Sequence, residues 1–67
     1  MLSKIGQLCK KWRLSQGITQ YRIALEVGCT QSNISHFEAG MNDTLSIYLW
    51  YVLNGFELRK DDLYDAI

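Results

Sequence analysis

Gln31-Ser32-Asn33 and Ser35-His36 form a run of hydrogen-bonding side chains without a carboxylate, lysine or arginine, and only Ile34 interrupts it. If the run is helical and buries Ile34 and Phe37, then Gln31, Ser32, Ser35 and His36 look outward or sideways, with Asn33 at the flank. Ser32 or Ser35 beside His36 offers the elements of a nucleophile and base, but neighbouring residues on a helix diverge and the third, orienting group is missing. His36 is the only histidine, and Cys9 and Cys29 lack CxxC or Cys/His clustering. A structural zinc site needs four ligands, so no metal is expected, and buried reduced thiols are the expected state of both cysteines. There is no pair of carboxylates in an evident pocket and no phosphate-binding glycine loop. An enzyme, a cofactor and a small-molecule substrate are therefore not expected. What remains is recognition: a glutamine presents an acceptor and a donor side by side, the pairing that fits N6 and N7 of adenine.

Short helices are needed to position these groups. The chain has no proline, and glycines divide it into units. Ile5, Leu8, Cys9 and Trp12 recur at three- and four-residue spacing, which predicts a helix from about Ser3 to Gln16, stopped by Gly17. Thr19 suits an N-cap for a second helix, Gln20 to Val27, with Ile23, Ala24 and Val27 inward and Gly28 closing it. Thr30 caps a third, Gln31 to Glu38 or Ala39, ended by Gly40. Asp43 or Thr44 opens a fourth, reaching about Asn54, with Leu45, Tyr48, Leu49, Val52 and Leu53 as its expected core stripe. Phe56-Glu57-Leu58 reads as extended, and Asp61 or Asp62 as the start of a last turn packing Leu63 and Ile67.

With 67 residues, 48% of them hydrophobic, the sequence is expected to form one domain over 1–67. It carries neither a membrane-spanning run nor a secretory pattern, so a soluble, cytoplasmic protein without membrane contact is expected. Net charge is zero but unevenly spread. Residues 1–36 hold Lys4, Lys10, Lys11, Arg13 and Arg22 against Glu26 alone. Residues 37–67 hold Arg59 and Lys60 against Glu38, Asp43, Glu57, Asp61, Asp62 and Asp65. A basic end can face phosphate while an acidic end faces away.

Within Gln20 to Gly40, two short helices meet at a tight turn on Gly28, with small Ala24 at the crossing. The segment resembles the helix-turn-helix of the phage lambda repressor and Cro superfamily, also called the Xre family. The resemblance covers about residues 5 to 55. It rests on Arg13 four residues before Gly17, on Gln20, Ile23-Ala24 and Gly28, on Gln31-Ser32-Asn33-Ile34-Ser35, and on Phe37-Glu38-Ala39-Gly40. It implies an all-α, compact domain of four to five helices, with the helix-turn-helix core at 20–40. By the same resemblance the protein is a sequence-specific transcriptional regulator of phage or mobile-element type. It would repress by binding a palindromic operator in double-stranded DNA as a homodimer, through the major groove. Gln31, Ser32, Asn33 and His36 then fall at base-contacting positions. Gln20, near a phosphate and against Gln31, joins Arg22, Lys10, Lys11 and Thr30 on the backbone. Arg13 and Glu38 match a buried ion pair joining the first and third helices. Two departures stand out: the recognition helix has no Lys or Arg, and the loop Met41-Asn42-Asp43 is short and lacks proline and basic residues. Phosphate attraction must then come from Lys10, Lys11 and Arg22, with modest nonspecific affinity.

Once its core stripe is assigned, the fourth helix leaves Ile47, Trp50 and Tyr51 on a second face, joined by Phe56 and by Leu58 and Tyr64 of the tail at 56–67. The expectation is a dimer or partner surface there. It also supports an alternative, a protein-binding module such as an antitoxin or antirepressor acting through that aromatic face.

Overall fold

The computed structural model describes residues 3–60. Four helices follow one another: α1 (Ser3–Ser15), α2 (Gln20–Val27), α3 (Gln31–Glu38) and α4 (Leu45–Leu53), with no strand among the described residues. The all-α expectation and the helix bounds hold to within a residue or two. The expected final turn, with Leu63, Tyr64 and Ile67, lies outside the described residues.

Local chemistry fixes where α2 and α3 begin. The Thr19 hydroxyl accepts from the Arg22 amide at 3.1 Å, and the Thr30 hydroxyl from the Asn33 amide at 3.2 Å. Each satisfies one of the orphan donors of a first turn. Gly28 sits at φ 85° and sends its amide back to the Ala24 carbonyl, so the α2–α3 turn uses the left-handed conformation that a Cβ disfavours. α4 is capped differently. Its N-cap is Thr44 rather than Asp43, and the Thr44 side chain makes no cap bond, donating instead to Asn42 Oδ1 at 3.0 Å.

Packing runs α1 on α3, α2 on α3, and α2 on α4. Ile5 and Cys9 of α1, Ile23 and Ala24 of α2, and Ile34 and Phe37 of α3 meet in one core, as their spacing predicts. Gly6 is a feature that spacing does not reveal. A Cβ built there would lie 2.1 Å from the Phe37 carbonyl oxygen, so α1 and α3 touch backbone to backbone.

The core face of α4 is the reverse of the expected one. Ile47 and Tyr51 are fully buried, and Trp50 and Phe56 nearly so. Leu45 is 66% exposed, Leu49 45%, Val52 41% and Leu53 83%. Only Tyr48, half-buried, keeps an inward role from the expected stripe. Ile47, Trp50, Tyr51 and Phe56 are therefore core and not a partner surface. LSIYLWYVL is apolar all the way round, so periodicity cannot choose its inner face. Ring packing and polar tips make the choice. Tyr51 stacks on Phe37 at 5.9 Å and meets Trp12, Trp50 and Phe56 edge-on at 5.9, 5.5 and 6.4 Å. Its hydroxyl and the Trp50 indole N–H each reach a carboxylate, as buried Tyr and Trp require.

Candidate nucleic-acid interface

α3 is anchored from beneath by Ile34, Phe37 and Glu38, all buried. Gln31, Ser32, Asn33, Ser35 and His36 are exposed. The alternation leaves one continuous polar face along two turns of helix, as the sequence predicts.

The anchor at the far end of α3 is an ion pair. Arg13 Nε donates to Glu38 Oε2 at 2.7 Å and Arg13 Nη2 to Glu38 Oε1 at 3.1 Å, with both residues buried. Two parallel bonds from a planar fork give the geometry as well as the charge balance. The third guanidinium nitrogen, Nη1, donates to the Ile18 carbonyl at 2.9 Å, tying down the chain between α1 and α2. Tyr51 Oη and Gln20 Nε2, the latter at 3.0 Å, complete the shell around Glu38. Burial alone would raise the Glu38 pKa, but hydrogen bonds from Arg13, Tyr51 and Gln20 and the nearby guanidinium outweigh it and hold the carboxyl below its ordinary range. The Tyr51 hydroxyl is pushed well above its ordinary range, first by burial and then by its bond to Glu38. The Arg13–Glu38 pairing is thus as expected, and Tyr51 and Gln20 are the partners of Glu38 that sequence reasoning missed.

Gln20 and Gln31 come together at the front of the groove between α1 and the two helix starts. Gln31 Nε2 donates to Gln20 Oε1 at 3.4 Å. The groove is lined by Lys10, Thr19, Gln20 and Gln31, with Arg13 and Ile18 at its floor. Lys10 therefore stands beside the glutamine pair, whereas Lys11, exposed on the same helix, does not line the groove. Arg22 is exposed, but its Nε already donates to Glu26 Oε2 at 3.0 Å one turn along α2. Thr30 is exposed, and its hydroxyl oxygen serves as the α3 cap.

Glu26 has a second unexpected partner, the Trp50 indole, which donates to its Oε1 at 2.8 Å and ties α4 to α2. That bond, then Arg22, holds the Glu26 carboxyl below its ordinary range. A partial signal was in the sequence: aromatics with polar tips on an otherwise apolar helix need an acceptor when their rings are buried, and Glu26 and Glu38 are carboxylates that can supply one.

A family model described as helix-turn-helix matches residues 10–49, from the middle of α1 to the middle of α4. The chain belongs to this helix-turn-helix family. It is a DNA-binding family of the Cro and Xre type, made of transcription regulators rather than enzymes. Neither the curated proteins nor the solved structures yield a match to the chain. In helix-turn-helix terms α2 is the first, bracing helix and α3 the second, recognition helix. No helix among the described residues is long and apolar enough to cross a membrane.

Proposed function

We propose that this helix-turn-helix protein is a sequence-specific repressor of the small phage or mobile-element type, reading a palindromic operator as a homodimer. The observation that carries the reading is the α3 face. Its uncharged polar side chains are exposed, while the helix beneath them is fixed by a threonine cap at one end and the Arg13–Glu38 pair at the other. A helix so braced can present side chains to base edges without first paying to order itself.

Gln31, Ser32, Asn33 and His36 take the base edges, with Gln31 pairing to adenine. Gln20, Thr30 and the amides at the starts of α2 and α3 meet phosphate, because helix N-termini attract anions. Lys10 and Lys11 add point charges, and Arg22 joins them when it leaves Glu26. The homodimer forms through the outer face of α4. Leu45, Leu49, Val52 and Leu53 share that side at four-, seven- and eight-residue spacing, and all are exposed. This replaces the aromatic face expected from sequence. The protein-binding alternative loses its footing for the same reason, since Trp50 and Tyr51 are core.

Selection from random duplex DNA at moderate salt tests the reading. The expected survivor is a palindrome whose half-sites lie about one helical turn apart. A folded protein that enriches no sequence even at low salt would refute it.

A further inference from the structure

Four donors converge on the Glu38 carboxylate, two on each oxygen. Oε2 receives Arg13 Nε and Tyr51 Oη, and Oε1 receives Arg13 Nη2 and Gln20 Nε2. A carboxylate has about four lone-pair sites and can only accept, so this one is saturated. The consequence for Gln20 is a matter of polarity. Its amide must turn the NH2 toward Glu38, because the carbonyl oxygen would meet an anion, and its own oxygen is therefore aimed the other way. That oxygen faces Gln31, the first residue of α3. Gln31 in turn must offer Nε2 to it, which leaves one Gln31 N–H and the Gln31 Oε1 for whatever approaches from outside. A glutamine without this constraint can flip its amide and offer donor and acceptor in either order.

We infer that Glu38 is a positioning residue for base recognition: through Gln20 it fixes the amide polarity of Gln31, so that one order of donor and acceptor, the one matching adenine N7 and N6 in a single strand orientation, is presented to the groove. The inference rests on the DNA-reading role proposed above and adds to it a source of specificity lying behind the interface. The carboxyl is held ionised by its donors, so the polarity persists through neutral and mildly acid solution. The ion pair thereby does more than join α1 to α3. The links run unbroken from Tyr51 in α4, through Glu38 at the end of α3 and Gln20 at the start of α2, to Gln31.

Gln20→Met tests this without touching the ion pair, since methionine conserves volume at a half-buried position and Glu38 keeps its other three donors. Affinities are measured for the operator selected by the wild-type protein and for all single-base changes in one half-site. A bidentate contact gives about 10- to 100-fold discrimination. Gln20→Met is expected to reduce it to within about threefold at the one position read by Gln31, leaving the other positions unchanged. Added to Gln31→Ala, it should change that position no further. In NMR spectra of the wild-type protein, one proton of the Gln20 side-chain NH2 should lie downfield and exchange slowly, as a donor to a buried carboxylate does. Uniform weakening of every sequence with discrimination intact would make Gln20 a phosphate contact only and overturn the inference while sparing the regulator. Two fast-exchanging, equivalent Gln20 protons would overturn the part played by Glu38. A wild-type protein that selects no operator removes the proposed function and this inference together.

Discussion

Glu38 carries the heaviest duty of any single residue. A buried carboxylate is tolerable only because each lone pair is met, and removing a donor exposes part of its desolvation cost. Because its folded pKa lies below the ordinary 4.5, the stability it contributes is complete above that value and is lost as pH falls through the folded pKa. Urea melts across a pH series should therefore show stability level near neutrality and declining below about pH 4.5. Tyr51→Phe removes one hydrogen bond to a charged group and should cost about 1.5–3 kcal/mol at neutral pH. It should also shrink the acid loss and end it at higher pH, because the variant's carboxyl is less depressed. Glu26 is also held below its ordinary range, but it makes no hydrogen bond to Tyr51, and its own bonds from Trp50 and Arg22 remain in the variant, so the change between variant and wild type reports chiefly on Glu38. Cys9 behaves oppositely: burial, with Glu38 nearby, pushes its thiol up to about 12, consistent with an inert, reduced core side chain.

At the scale of elements, two glycines make opposite demands. Gly28 has open space around its Cα but a φ of 85°, so Gly28→Ala adds backbone strain of about 1–2 kcal/mol and no clash. Gly6 is within a regular helix, yet a methyl there would collide with the backbone of α3, which cannot swing aside as a side chain can. Gly6→Ala should thus lower the melting temperature more than Gly28→Ala, despite alanine's higher helix propensity. Calorimetry on both variants decides the order. The Gly28 turn was legible because turn glycines follow a pattern. Gly6 was not, because only the approach of α3 gives it a reason.

For the molecule as a whole, the proposed dimer through the outer face of α4 and the proposed phosphate contacts each make a prediction. Leu49→Glu with Leu53→Glu should leave folding stability nearly unchanged, as surface changes do, while sedimentation velocity shows loss of the dimer. Trp50→Ala should instead unfold the protein, since it empties a core site and removes the indole bond that ties α4 to Glu26 of α2. If Lys10, Lys11 and Arg22 meet phosphate in each protomer, the log–log dependence of affinity on salt should have a slope of about −5 for the dimer. A much steeper slope would mean that further cations, such as Lys4, reach the backbone.

The sequence by itself determined the four helices, the threonine caps of α2 and α3, the exposed face of Gln31 to His36 and the pairing of Arg13 with Glu38. Each is encoded locally, by apolar spacing, by a capping side chain or by a turn glycine, or through a family pattern that keeps distant partners at fixed positions. The orientation of α4 had no such code. A helix apolar on every side has two acceptable inner faces until its neighbours are placed, and here the buried carboxylate Glu38, with the exposed Glu26 meeting the Trp50 indole, selected the face that carries Trp50 and Tyr51. Tertiary structure alone decided that choice, and with it which leucines remain exposed, because the cost of leaving the buried Glu38 charge unmet exceeds any preference of one apolar stripe over another.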